Sequence, residues 1–350
     1  MKKRPTLADV AERAGLSKTA VSLVLNGRTG TRLSPDAVER ARRAAADLNY
    51  RPNPAARSLR MGKLRTVGFI SDDVTVTRYA SAMIRGLLDV ADHEDHTVLI
   101  AESGGQLDRA AKALEAMLDR QADGIIFGSM AARQVEVPEV DADIRVVLIN
   151  MLDTADHPSV LPDEYAAGRG MASELIEAGH RRIGMLGWFP DAVIDPTISV
   201  TIGHRFAGIQ ASFDEAGIRV DARYVARRWD PPVGYAGAHE LLEQNRNLTA
   251  LLCLNDNLAF GAYQAAHERR LRIPEDLSIV SFDDDELAGY LRPQLTTAQI
   301  PYEQMGRTAM HMLLSGEALP PRTLVPMPLR RRDSVQQRPP RPADPAPTMK

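Results

Sequence analysis

Residues 6–27 read TLADVAERAGLSKTAVSLVLNG, and no other stretch restricts the fold as tightly. Thr6 is placed to cap a helix with its hydroxyl, while Asp9, three residues on, reaches back in capping-box fashion. Leu7, Val10, Ala11 and Ala14 recur at helical spacing, and Gly15 halts the helix. Ser17 then caps a second helix, predicted from Lys18 to Leu25, whose Val21, Val24 and Leu25 face the same small core. Two short helices joined through a glycine turn form a helix-turn-helix. In that geometry Ser17, Lys18, Thr19 and Ser22 point outward, where base edges and phosphates of a duplex would lie. Helix–glycine–helix pairs also occur in other small helical domains, so the motif gains its weight from residues 34–62.

Ser34-Pro35-Asp36 starts a third helix, with proline at its first position and an acid near the positive end of its dipole. The segment RPNPAARSLRMG at 51–62 comes next. Asn53 suits a cap and Pro54 a first turn, and Met61-Gly62 ends the run. So short a helix is unstable alone in water. It is expected to form only against its twin from a second subunit and against DNA.

This arrangement of three parts resembles the LacI/GalR family of bacterial transcriptional regulators, over about residues 5–332. The resemblance implies a homodimer that binds double-stranded operator DNA, with paired hinge helices in the minor groove. Leu59 holds the place of the leucine that wedges between base pairs, and the bend recovers the few kcal/mol that unstacking costs. Lys18 and Thr19 are the candidate base readers, and Thr6, Ser17, Ser22 and Asn26 the candidate phosphate contacts. Tyr50, Asn53, Ala56 and Arg60 complete the expected DNA face. Many relatives carry arginine at the place of Leu23 and threonine at that of Ala20. Arginine reads guanine through two hydrogen bonds, so Leu23 implies a different half-site.

Charge divides the chain in the same place. Residues 1–65 hold 15 lysines and arginines against 5 acids, and the remainder holds 28 against 41. A basic head on an acidic body is the footprint of a nucleic-acid-binding unit joined to something else. With 350 residues, two or three domains are expected. No apolar run is long enough to span a bilayer. MKKRPTLADVAERAG has the basic start of a signal peptide without an apolar stretch behind it, which predicts a cytoplasmic protein. The single cysteine, Cys253, lies in an apolar run and reads as a buried core residue.

From Leu64 onward, apolar runs alternate with helix-compatible segments. The runs are 66–71, 97–101, 124–129, 145–150, 182–187, 250–255 and 277–283; the segments between are 80–93, 106–120, 165–178, 203–216, 234–244 and 257–269. Short, continuously apolar strands separated by helices specify parallel sheets covered on both faces. There are too many units for one compact sheet, so the expected fold is an all-α helix-turn-helix headpiece plus an α/β sensor of two Rossmann-like lobes. The resemblance makes that sensor periplasmic-binding-protein-like, carried by 163–187, 204–218, 254–263, 281–301 and 305–317. The expected plan is a DNA-binding domain at 1–50, a hinge at 51–63, a sensor at 64–332 and a disordered proline-rich tail at 333–350. Within the sensor, the N-lobe is read as 64–162 with 294–323 and the C-lobe as 163–293 with 324–332. The chain would cross between them near 161–163, 291–294 and 322–326.

Ligands in such sheets bind beyond the carboxyl ends of the strands. Asn255 and Asp283 each end an apolar run, and the resemblance implies that residues there bond sugar hydroxyls while Trp229 stacks on the ring. Asp72, Tyr79 and Arg205 are further candidates for the cleft, with Asp73 a rival to Asp72. Trp188 reads equally as a second stacking surface or as an inter-lobe packing residue. Asp256 reads as the cap of a helix beginning at Asn257, and Asp284 and Asp285 as groups capping and solvating a turn. The run Asp283–Asp285 lacks the alternation of a calcium loop, so no metal and no cofactor are expected. Gly203 stands where sugar-binding relatives often have arginine, and Ile300 where they often have glutamine. Weaker polar anchoring favours a neutral sugar or oligosaccharide over a charged one. The insertion-like segment 188–203 reshapes one rim of the cleft.

Other functions fit less well. Motifs of serine hydrolases, P-loop proteins, zinc proteases and dithiol enzymes are absent, and the eight histidines do not cluster, so no catalytic residues are assigned. A sugar receptor for transport would not carry the basic head. A regulator controlled by a protein partner or a non-sugar corepressor is the alternative within DNA binding.

Overall fold

The computed structural model describes residues 5–25, 33–50, 64–75, 78–220 and 222–338, in two compact units divided after Arg65. The first unit holds α1 (Leu7–Ala14), α2 (Lys18–Leu25) and α3 (Pro35–Asp47). The Thr6 backbone and hydroxyl both donate to the Asp9 carboxylate, and the Asp9 N–H returns to the Thr6 oxygen. Gly15 is left-handed (φ 64°) and its N–H closes onto Ala11 and Glu12, which ends α1. Ser17 accepts from the Ala20 N–H, and Ser34 from that of Ala37. Val10, Ala11, Ala14, Val21, Val24, Ala41, Ala44 and Ala45 make the core. Five of these eight are alanine, so the helices lie close and little apolar area is needed to hold them.

The second unit contains two six-stranded sheets. The first, with order β11-β5-β4-β3-β1-β2, is parallel and uses β1 (Thr66–Ser71), β2 (Thr97–Glu102), β3 (Gly124–Gln134), β4 (Arg145–Leu152), β5 (Ser159–Pro162) and β11 (Arg322–Val325). Three helices, α4 (Arg78–His93), α5 (Leu107–Leu118) and α12 (Tyr302–Leu314), cover it and complete the N-lobe. The second sheet has order β12-β10-β9-β8-β6-β7. Its strands are β6 (Ile183–Trp188), β7 (Ala222–Val225), β8 (Ala250–Cys253), β9 (Ser278–Asp283), β10 (Thr296–Gln299) and β12 (Leu329–Arg330), the last antiparallel to β10. The C-lobe helices are α6 (Glu164–Glu177), α7 (Asp191–Ile194), α8 (Ile202–Glu215), α9 (Pro231–Gln244), α10 (Asp256–Glu268) and α11 (Glu286–Tyr290).

Two expected crossings move. Strand β10 pairs with β9, so the chain stays in the C-lobe past 291–294 and leaves at Ile300–Pro301. The TTAQ strand reads as polar, yet Thr296 and Thr297 are fully buried because their hydroxyls bond inside the lobe. Strand β11 belongs to the N-lobe through Val325, which puts the last crossing at 326–328 rather than 322–326. The expectation of disorder from residue 333 is also corrected. Ser334 is fully buried, donating to Ile279 O and accepting from the Thr296 N–H, and the Arg338 N–H bonds Ala178 O. Residues 333–338 are thus strapped across the C-lobe; 339–350 lie outside the described residues.

Candidate functional site

In the first unit Ser17, Lys18 and Thr19 are exposed on the first turn of α2. Thr6 is exposed too, but its hydroxyl is engaged in both directions by Asp9. Ser22 is corrected: it is only 7% exposed, because α2 is wedged against both α1 and α3. Tyr50 is half-buried and packs on the alanine-rich core. Asn26, Asn53, Ala56, Leu59 and Arg60 lie outside the described residues.

In the second unit a cavity of about 380 Å³ opens between the lobes, a size typical of small-ligand sites. Tyr79, Met130, Asn150 and Tyr302 line it from the N-lobe, and Glu164, Arg205, Trp229 and Asp283 from the C-lobe. Its centre of charge is Arg205. Two glycines allow this: a Cβ on Gly168 would lie 2.3 Å from Arg205 O, and one on Gly208 2.1 Å from Tyr165 O. Helices α6 and α8 therefore approach backbone to backbone. The Arg205 fork then donates from Nε and Nη2 to both Glu164 oxygens at 2.7 Å, and from Nη1 to Leu254 O at 2.5 Å. Its guanidinium also lies 4.3 Å from the Phe282 ring centroid. Burial alone would lower the Arg205 pKa, but Glu164 outweighs it and the net shift is upward. Arg205 is thus a cation already matched, and the pair brings no net charge into the cleft.

Asp283 ends β9 in a left-handed conformation (φ 109°) that turns it toward the cavity. Burial raises its pKa well above the usual carboxylate range; Arg205 opposes this, and Asp256, Glu164 and Asp285 add to it. Its carboxyl is biased toward the neutral form, able to donate as well as accept. Behind it Asp256, pushed up to about 7 by burial, accepts from Ser281, from Thr297 and from the Asp285 N–H. The Trp229 Nε1–H donates to Gly187 O at 2.9 Å, which fixes the indole on the cavity wall. Tyr79 joins the lobes: its hydroxyl donates to Asp285 at 2.8 Å and its ring lies 5.3 Å from that of Tyr302.

Three expected cleft residues are elsewhere. Asn255 is the N-cap of α10, accepting from the Leu258 N–H at 2.8 Å and donating to Trp229 O at 3.1 Å. It therefore acts behind Trp229 rather than on a ligand, and Asp256 is the first helical residue rather than the cap. Trp188 packs within the C-lobe, 4.2 Å from Phe206 with the Arg223 guanidinium 5.0 Å over it. Asp72 lies in a separate pocket of the N-lobe with Ser103, Gln106 and Arg133, accepting from the Ser129 hydroxyl and the Met130 N–H. Its rival Asp73 donates its N–H to Asp72 and is likewise outside the cavity. Conversely, Glu164, Asn150 and Tyr302 were missed. Asn150 could have been found, since it ends the apolar run of β4 as Asp283 ends that of β9; the other two carry no local signal. Among the described residues no group of acids, histidines or cysteines is arranged to hold a metal, and no helix is long and apolar enough to cross a membrane.

A helix-turn-helix unit and a two-lobed unit with a cavity at its strand ends define a transcription regulator with a ligand-sensing half. The family model of "Bacterial regulatory proteins, lacI family" matches residues 6–53, and that of a periplasmic binding protein-like domain matches 172–335. The chain is 31% identical to the ribose operon repressor of Haemophilus influenzae, over 88% of this chain and 91% of that protein. It is 32% identical to the transcriptional regulator AscG of Escherichia coli strain K12, over 94% and 98%. Among solved structures, the Lac repressor dimer bound to operator and the anti-inducer ONPF superposes with a TM-score of 0.73 at 25% identity, over 95% of this chain and all of that one. The protein belongs to the lacI family of bacterial regulatory proteins.

Proposed function

We propose that this protein is a homodimeric repressor, acting in the cytoplasm, that binds operator DNA through its headpiece and releases or tightens its grip when a neutral sugar-like effector enters the inter-lobe cavity. One observation carries the reading. The cavity joins side chains from both lobes, and its two arginines are already paired, Arg205 with Glu164 and Arg227 with Asp191. What faces a ligand is then an aromatic wall at Trp229, the Asp283 carboxyl and a tyrosine hydroxyl, which suit a hydroxyl-bearing ring better than an anion. Closure of the lobes on the ligand would shift the dimer and order or melt the hinge that presents Leu59. Such coupling is typically about 1–3 kcal/mol per site, enough for a clear response. The names of relatives, a ribose operon repressor among them, agree with control of carbohydrate genes.

The test is a thermal-shift screen of the full chain against mono- and disaccharides, followed by operator gel shifts with each hit. Stabilisation by a sugar that also changes operator affinity supports the proposal. Stabilisation by none, with operator binding intact, sinks the effector and leaves the DNA reader. Lys18→Ala should weaken operator binding and relax its sequence preference within the half-site.

A further inference from the structure

A second pocket, of about 70 Å³, lies within the N-lobe and apart from the inter-lobe cavity. It arises from a register break in β3. Past Gly128 the strand leaves β4 and rejoins it only at Arg133, opposite Met151. Residues 129–132 therefore bulge, and the chain from Arg133 to Pro138 closes a space against the carboxyl ends of β1 and β2. Ile70, Ser71, Ser103, Ala110, Phe127 and Met151 line this space and are all at most 8% exposed, so its walls are core rather than surface. Gly105, Gln106 and Leu107, where α5 begins, are exposed and form the mouth.

Three polar groups in the lining have bonding capacity left. The Arg133 Nε is enclosed and has no hydrogen-bond partner among the described residues, although the outer guanidinium reaches solvent. A buried N–H in that condition is costly, and an acceptor placed there removes the cost. The Ser71 hydroxyl donates to Asp72 at 3.3 Å and the Ser103 hydroxyl to Ser71 O at 3.1 Å. Each hydrogen is thereby committed, and each oxygen is left to accept. Asp72 itself is filled by Ser71, Ser129 and the N–H groups of Asp73 and Met130. The pocket thus offers one donor and two acceptors against a carbon surface of Ile70, Phe127 and Met151. Asp72 and Glu136 outnumber Arg133 in the lining, which disfavours an anion. A cavity of about 150 Å³ holds benzene, so one of half that size suits a molecule of two to four carbons.

We propose that this pocket is an accessory site for a compact uncharged diol, one hydroxyl accepting from the Arg133 Nε–H and the other donating to Ser71 or Ser103. The site shares a wall with the inter-lobe cavity. Asp72 accepts from the Met130 N–H at 3.0 Å, and the Asn150 side-chain amide donates to Ser129 O at 2.9 Å. Met130 and Asn150 both line the larger cavity, so occupancy of the small pocket should be felt there. Binding of the diol stands independently of the effector reading; any influence on the response to an effector rests on it.

The test is a titration of the full chain, labelled at its methionine methyls, with propane-1,2-diol and with propionate, which has as many heavy atoms. The Met151 signal should shift and saturate below about 50 mM diol, with a smaller shift at Met130 and none at Met185 in the C-lobe core. Propionate should bind at least about tenfold more weakly. Arg133→Leu removes the free donor and should weaken diol binding about fivefold or more. Ala110→Leu fills the pocket and should abolish the saturable shift, with the Met185 signal and Tm reporting the fold. If that variant does not fold, Arg133→Leu decides alone. A Met151 shift that stays linear in diol, or tighter binding of propionate, overturns the site. So does a saturable shift that is strongest at Met130 and indifferent to Arg133→Leu, which would put the diol in the inter-lobe cavity instead.

Discussion

Glu164→Gln tests whether Arg205 is held as a matched charge. The pair is bidentate, its two side chains are 2% and 3% exposed, and no water-exposed face is left to solvate a lone guanidinium. Removing one partner of such a pair typically costs about 3–5 kcal/mol. At about 2 °C per kcal/mol for a unit of this size, that is about 6–10 °C in Tm. The structure modifies the figure, because Asp283 is close enough to feel both charges. Without the Glu164 charge, Arg205 is the dominant neighbour of Asp283, whose pKa should fall so that it ionises and compensates in part. The single variant should therefore lose about 2–3 kcal/mol near neutral pH, and Glu164→Gln with Asp283→Asn the full range. Protonating Asp283 removes the compensation, so the deficit should widen as pH falls. Replacing both partners, as in Glu164→Gln with Arg205→Met, should recover much of the loss, less the bond to Leu254 O. Urea unfolding of the four proteins at several pH values is the assay. A deficit under about 1 kcal/mol for the single variant, or none of the predicted coupling to Asp283, would refute the reasoning.

Thr6→Ala should remove the side-chain arm of the capping box while the backbone N–H of residue 6 still donates to Asp9, costing about 1 kcal/mol and raising exchange at the Asp9 amide. His180 is fully buried beneath the strap at 336–338, and burial, with Arg338 and Arg181 nearby, takes its pKa down to about 4. The unfolded chain takes up that proton from about 6.5 downward and the folded chain only near 4, so stability should rise with pH across this window. The excess slope over His180→Asn in urea titrations measures it. Asn255→Ala should cost about 1–2 kcal/mol through the lost cap and should shift the Trp229 emission in a Trp188→Phe background, whereas Asn255→Asp should keep the cap and lose only the bond to Trp229 O.

What the amino-acid order settled by itself is what depends on neighbours a few residues apart. Thr6 with Asp9, Gly15, Ser17 and Ser34-Pro35 each act within one helical turn, so the three headpiece helices could be placed from the sequence. The long apolar runs of β1, β3, β4 and β9 announced buried parallel strands, and Asp283 was legible because it ends such a run. Only the tertiary structure decided what depends on partners far along the chain. Glu164 and Arg205 meet because two glycines let helices touch. Thr296 and Thr297 form a core strand because their hydroxyls find Asp256 and the Arg332 N–H. Asn255 is recognised as a cap, and Ser22 as buried, only once the surrounding helices are in place. Local hydrogen-bonding preference is written into short stretches of sequence, but burial is a property of the assembled chain, and it is burial that sets the charge state of the cleft.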